Sequence, residues 1–257
     1  MGGVAFAPQV RCMARFFVPQ HHIEGRRGVV AGQELQHLRR VLRLAPGDAI
    51  TIFDDAGREH DAVICSVGPE SAAIEITRSY DAQRESTLQL TLALGLTKGE
   101  KMDFVVEKAT ELGVQNIVPF VSAYAVPKLN ERKIAARAER WQKIALSAAK
   151  QCGRTQTPKL LPLCEFGEFI GQAWPDSFKL FFWEKGNTQS LRQLQELRGA
   201  KPVLIAIGPE GGFTAEEAGQ AMQHGFLLAS MGRRILRAET AAIAAVSLAQ
   251  FLWGDLQ

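Results

Sequence analysis

An α/β fold with a parallel sheet, preceded by a smaller β-rich module, is predicted by three features of this 257-residue chain. The run Val203-Leu-Ile-Ala-Ile207 is apolar on both faces, as a central strand of a helix-covered parallel sheet must be. Beyond residue 88, runs of this kind alternate with segments of 3.6-residue hydrophobic period, the pattern of β-α-β units. Before residue 77, short strands and tight turns dominate instead, which points to a small β-barrel-like module.

The elements follow in order. Residues 1–12 lack the charged start and long apolar core of a secretory signal, and are read as a disordered extension, with Met13 as the true start. The patterned chain begins at Met13-Ala-Arg-Phe-Phe-Val18 and gives a first domain over 13–78. A brief helix is expected at 32–43, with Leu35, Leu38 and Leu42 at helical spacing. Pro46-Gly-Asp48 makes a turn, 49–53 a strand, Asp54-Asp-Ala-Gly57 a hairpin connection, and 58–64 and 72–76 two further strands. Residues 79–87 are polar and aperiodic at their centre and serve as the linker. The second domain, 88–257, opens with a strand over 88–96. A helix over 100–112 follows, with Met102, Val105, Val106, Ala109 and Leu112 on one side and Gly113 as its stop. Then come a strand at 117–121 and a basic helix at 131–151, whose Ile134, Trp141, Ala145 and Ala148 form an inward stripe. Strands at 179–183, 203–207 and 225–229 complete the sheet. The last helix, 240–253, is apolar almost all round, which calls for burial either in the core or across a subunit interface, the interface being favoured.

Composition narrows the function. No apolar run is long enough to span a bilayer. Cys12, Cys65, Cys152 and Cys164 show neither metal-ligand spacing nor a compact disulfide pattern, and the five histidines form no metal constellation, so a reducing, cytoplasmic compartment without a metal site is expected. The formal net charge of +3 is unevenly placed. Nine Lys/Arg against two acids lie between Lys128 and Lys159, and seven arginines against two acids between Arg11 and Arg43. Concentrated positive charge is the footprint of a polyanion such as RNA or DNA. A solvated basic helix face is the plain alternative.

Two glycine-punctuated turns fall where buried strands should end: Ile207-Gly-Pro-Glu-Gly-Gly212 and Met231-Gly-Arg-Arg-Ile-Leu-Arg-Ala-Glu-Thr240. Open α/β sheets bind ligands at the carboxyl ends of their strands, so these turns should line a pocket. The first can present several backbone amides to an anion or a purine edge, although a tight turn without ligand has the same composition. It is not a P-loop, and no G-x-G-x-x-G is present. In the second, Glu239 or Thr240 could cap the final helix. Three arginines, Arg233, Arg234 and Arg237, crowd the same helix N-terminus, the wrong end for cations unless an anion binds there.

Thr97-Lys-Gly-Glu-Lys101, Lys108-Ala-Thr-Glu-Leu-Gly-Val114, Gln151-Cys-Gly-Arg154 and the two turns, taken in this order, resemble the RsmE family, ribosomal RNA uracil-N3 methyltransferases of the SPOUT class. The resemblance extends to the first domain through His37-Leu-Arg-Arg-Val-Leu-Arg-Leu44 and Pro46-Gly-Asp48. Lys150 departs from it, standing where the family often has an acid, and residues 1–12 have no counterpart. The resemblance implies a PUA-like RNA-binding domain, then a SPOUT-type trefoil-knotted parallel-sheet domain, acting as a homodimer with S-adenosylmethionine on one uridine of 16S ribosomal RNA in the small subunit. It places the cofactor among the Phe182-Trp-Glu-Lys-Gly186 turn and the two glycine turns, with Glu184, Gly208, Pro209, Glu210, Gly211, Gly212, Met231, Gly232, Ile235, Leu236 and Thr240 as the expected contacts. It makes Arg154 and Arg237 the expected stabilisers of charge on the uracil or clamps on the adjacent phosphate, and Glu210 or Glu239 the expected proton acceptor, with water as the alternative. Arg15, Arg39, Arg40, Arg43, Arg132, Arg137, Arg140 and Arg154 are expected to grip RNA. Two rivals stay open: a non-catalytic RNA-binding or ribosome-assembly factor, and a SPOUT methyltransferase with another acceptor, a ribose 2′-hydroxyl or transfer RNA.

Overall fold

A computed structural model of the chain describes residues 14–124, 130–186, 188–197 and 201–256, and these divide into two compact units between Glu85 and Ser86. The expected extension over 1–12 and the start at Met13 lie outside the described residues.

The first unit contains β1 (Arg15–Phe17), β2 (Ile23–Glu24), β3 (Arg27–Ala31), α1 (Gly32–Gln36), β4 (Ala49–Phe53), β5 (Arg58–Val67) and β6 (Ser71–Asp81). They form a six-stranded sheet in the order β1-β4-β5-β6-β3-β2, antiparallel except for the β1–β4 pair. Alternation along β3 and the first half of β6 gives these strands one buried face. In β6, Ala72, Ile74 and Ile76 point into the core while Ala73, Glu75 and Thr77 face solvent. Register shifts between Asp61 and Ala62 and between Ile64 and Ser66 bend β5 and let the sheet curl around Phe16, Leu35, Leu38 and Ile52. The helix is interrupted: after Gln36 it widens into a π-type turn over His37–Val41, where the Leu42 amide donates to the His37 carbonyl. The wider turn rotates Leu42 off the inward stripe, leaving it 39% exposed. β6 also runs three residues into the stretch expected as linker, because Ser79, Tyr80 and Asp81 still pair with His60, Glu59 and Arg58.

The second unit contains β7 (Leu90–Gly95), α2 (Lys101–Glu111), β8 (Asn116–Val121), α3 (Glu131–Cys152), β9 (Lys159–Leu160), β10 (Cys164–Glu165), α4 (Phe166–Gly171), β11 (Phe178–Phe182), β12 (Gln189–Ser190), α5 (Leu191–Leu194), β13 (Val203–Ile207), α6 (Ala215–Gln223), β14 (Leu227–Ser230) and α7 (Ala238–Trp253). All pairings are parallel, in the order β10-β8-β7-β13-β11-β14-β12, with β9 also on β8. The two-sided apolarity of β13 has its reason here. Val203, Ile205 and Ile207 enter a core shared with α2 and α7, and Leu204 and Ala206 enter an aromatic core on the opposite face. That second core is built on Phe181 and Phe213, 4.0 Å apart between ring centroids, and on Phe120 stacked on Phe169 at 4.9 Å.

Local chemistry sets the helix ends. Asn130 caps α3 by accepting from the Lys133 amide, and Gly153 closes it in the left-handed conformation. The inward stripe of α3 is buried at Trp141, Ala145 and Ala148, with Ile134 half-buried. α6 begins with a capping box between Thr214 and Glu217. Gly225, at φ +81°, then turns the chain, so β14 starts two residues later than the apolar run at 225–229 suggests. α7 buries Ala242, Ala245, Val246 and Ala249 but leaves Phe251 66% exposed.

Candidate active site

The carboxyl ends of β11, β13 and β14 open onto two adjoining hollows of about 80 Å³ and 120 Å³. They share Phe182, Glu184, Ile235, Leu236 and Ala241. The first is completed by Trp183, Ser230, Met231 and Gly232, the second by residues 207–213. Both glycine turns therefore meet around one opening. The turn after β13 can sit there because the end of β7 has no side chain. A Cβ on Gly95 would lie 2.5 Å from Pro209 Cδ and 2.6 Å from Pro209 N. Gly212, at φ +69°, closes the turn by donating its amide to the Pro209 carbonyl, and Glu184 lies against it from the end of β11.

Three charged groups tie this opening together. Lys101 Nζ lies 3.0 Å from Glu210 Oε1 and 3.8 Å from Glu239 Oε2. Glu210 Oε1 also accepts the Lys98 amide at 3.1 Å. Burial raises the Glu210 carboxyl, but its own backbone amide, the Lys101 ammonium and the Lys98 amide outweigh that and hold it below its ordinary value. Glu239 Oε2 is buried without a hydrogen bond, as is Trp183 Nε1. The α7 N-cap is Arg237, with no side-chain cap. The capping expected of Glu239 or Thr240 is absent because both lie inside the helix, past the position whose side chain can reach back to the free amides. Arg233, Arg234 and Arg237 are exposed and have no acidic partner among the described residues.

The sequence-predicted residues separate into those gathered here and those held elsewhere. Glu184, Gly208, Pro209, Glu210, Gly211, Gly212, Met231, Gly232, Ile235 and Leu236 line the hollows. Thr240 does not: it is exposed on the first turn of α7, where Ala238 and Ala241 face the opening instead. Arg154 is at the other end of the sheet, 4% exposed, and its Nη1 donates to the carbonyls of Thr110 and Val114 at 2.8 Å each. A guanidinium so enclosed serves the α2–β8 turn and stands apart from the opening at the strands' carboxyl ends. Arg15 is likewise enclosed, with Nε 2.7 Å from Glu59 Oε1 and its guanidinium over the Phe53 ring, which removes it from the RNA-facing set. Arg140 is exposed but paired with Asp103 and Glu100. Arg137 is half-buried beside Trp141, and Arg39, Arg40, Arg43 and Arg132 are exposed. Lys128 lies outside the described residues.

Sequence reasoning missed Lys101 and Ser230, whereas Trp183 falls in the turn over 182–186 where the cofactor was expected. Ser230 was within reach, since it stands at a strand's carboxyl end. A larger groove of about 460 Å³ between α2 and α3, lined by Glu107, Lys108, Glu111 and Gln151, lies away from these strand ends. Its charges satisfy one another, Lys108 reaching both Glu107 and Glu111.

The family described as RNA methyltransferase domain matches residues 84–250, and that described as RNA methyltransferase PUA domain matches residues 30–77. Fold and strand-end opening thus fall in the class of RNA methyltransferases with an added PUA domain. The solved ribosomal RNA small subunit methyltransferase E from Neisseria gonorrhoeae, bound to S-adenosyl methionine, is 33% identical with a TM-score of 0.87, over 95% of this chain and 100% of that one. A methyltransferase from Legionella pneumophila in complex with the cofactor SAM is 34% identical, also with a TM-score of 0.87, over 95% and 99%. Ribosomal RNA small subunit methyltransferase E of Bacillus subtilis is 30% identical over 223 residues, 85% of this chain and 87% of the relative. The chain belongs to the ribosomal RNA small subunit methyltransferase E family.

Proposed function

We propose that the protein uses S-adenosylmethionine to methylate N3 of one uridine in 16S ribosomal RNA. The observation that carries this reading is the opening where the turns after β13 and β14 meet, in a chain of this family. The residues suit that cofactor: Ile235 and Leu236 supply an apolar wall, the 208–212 turn supplies amides at a strand end, and Trp183 Nε1 is a buried donor with no partner. Glu184 would accept from hydroxyls. When bound, the cofactor supplies an electrophilic methyl on a sulfonium.

The chain must then manage a proton and a charge. Uracil N3 carries a proton at neutral pH, and negative charge develops on O2 and O4 as it leaves. Glu210, held ionised by Lys101 and two amides, is a weak acceptor. Glu239, whose Oε2 has no hydrogen bond, takes the proton in this reading, and Arg237 at the rim stabilises the oxygens or holds the neighbouring phosphate. N3 lies on the Watson–Crick edge, so the base must be unpaired or extruded. Exposed Arg39, Arg40, Arg43 and Arg132 would hold the surrounding backbone.

The same reading includes a homodimer, a cytoplasmic setting, an assembled small subunit as the RNA context, and a trefoil knot. The exposed Phe251 and Leu248 of α7 support an interface there. No helix among the described residues is long and apolar enough to cross a membrane. Support for the knot comes from topology: β14 lies beyond β11, yet α7 returns to pack on β13, β7 and α2.

The test is methyl transfer from labelled S-adenosylmethionine to small subunits lacking native modification, with nucleoside analysis of the product. Labelled 3-methyluridine, lost in Arg237→Ala, is the expected result. A different methylated nucleoside would refute the acceptor, and absence of any transfer or cofactor binding would favour a non-catalytic RNA-binding factor.

A further inference from the structure

Lys101 belongs to neither glycine turn, yet it is the group through which the two are joined. It is the first residue of α2, and its ammonium reaches Glu210 on the turn after β13 and Glu239 on the first turn of α7, which follows the turn after β14. Glu210 lines the opening itself, and Glu239 is flanked by Ala238 and Ala241, which also line it. One cation between two carboxylates from opposite walls fixes their separation: removing it leaves two anions facing each other where one of the oxygens is already buried and unbonded. The side chains are only 34%, 27% and 18% exposed, so solvent screens the arrangement incompletely.

We infer that Lys101 is a positioning residue that clamps the two walls of the cofactor opening by holding Glu210 and Glu239 at once. The inference rests on the methyltransferase reading above. Lys101 acts through the two carboxylates it holds. With Lys101 in place, the turn carrying residues 208–212 and the N-terminus of α7 keep one spacing, and the opening is preformed before the cofactor arrives.

Calorimetric titration of the full-length protein with S-adenosylmethionine tests this on Lys101→Met, Lys101→Arg, Glu210→Gln and the Lys101→Met/Glu210→Gln double variant. Lys101→Met should weaken cofactor affinity by about threefold to tenfold, the range of a partly screened ion pair with a charged hydrogen bond, and Lys101→Arg should recover most of it. The double variant should bind no worse than the weaker single variant, because each single change breaks the same clamp. A general loss of packing would instead multiply the two effects and would not be rescued by arginine. Wild-type affinity in Lys101→Met, or multiplicative losses in the double variant, overturns the inference while the methyltransferase reading stands. Absence of binding by the wild type overturns both. Should Lys101→Met fold poorly, Glu210→Gln and Glu239→Gln carry the same test with Lys101 present: strict independence of their effects on affinity would refute the clamp.

Discussion

Replacing Gly95 by alanine probes how the opening is built. The added Cβ would stand 2.5 Å from Pro209 Cδ, 2.6 Å from Pro209 N and 3.0 Å from Gly208 C, where carbon contacts are normally about 3.5–4.0 Å. Relief therefore needs a shift of about 1 Å, and no side-chain rotation supplies it because two of the three atoms are backbone. Gly95 sits on a central strand, and β7 pairs with both β8 and β13, so the sheet holds and the Gly208-Pro209 turn must yield. Overpacking of this kind costs about 1–3 kcal/mol, or roughly 2–4 °C in Tm per kcal/mol for a unit of this size. A wall displaced by about 1 Å can lower the rate about 100-fold. Urea unfolding and single-turnover methyl transfer on Gly95→Ala measure both. A variant with wild-type midpoint and wild-type rate would show that the β7 end and the 208–212 turn are not in the contact described, and the account of the opening would fail.

Other substitutions separate structure from function. Gly219→Ala, in the interior of α6 with no atom within 4 Å of the new Cβ, should stabilise by about 0.5–1 kcal/mol, visible as a higher urea midpoint. Arg154→Ala removes the guanidinium donor shared by the Thr110 and Val114 carbonyls, of which Thr110 keeps the Gly113 amide, and should cost about 1–3 kcal/mol; an unchanged midpoint would contradict the hydrogen bonds described. Because the folded Glu210 carboxyl titrates below its ordinary value, its contribution to stability is present above the unfolded value, about 4.3, and is lost as pH falls through the folded one. The stability gap between wild type and Glu210→Gln should thus be constant near neutrality and close in acid. If Arg40 and Arg43 each meet a phosphate, Arg40→Ala and Arg43→Ala should each reduce the slope of log affinity against log salt by about 0.7–0.9 in RNA titrations.

Much of the second unit was legible because its signals are local. The run 203–207 matches β13 end for end, since a strand covered on both faces must be apolar at every position. The stripe from Ile134 to Ala148 traced α3, and Asn130 and Gly153 mark its ends. The two glycine turns pointed to the opening they line, because a parallel sheet collects its strand ends on one edge. α6 was readable in principle from Thr214 and Glu217, a capping box three residues apart, although its polar face and Gly219 mask the period.

What the residues could not disclose is which charges meet. Arg15, Arg154, Arg237 and Lys101 look alike in sequence as basic side chains near motifs. Only the fold puts Arg15 against Glu59, 44 positions away, encloses Arg154 under two carbonyls at the far end of the sheet, and leaves Arg237 exposed at the rim. Lys101 likewise gains its two carboxylates from segments more than 100 residues later in the chain. Hydrophobic period and turn chemistry act between neighbours in sequence and so are written there. The partner of a charge is fixed by strand order, which places β13 beside β7 and returns α7 across both, and that order exists only once the sheet is assembled.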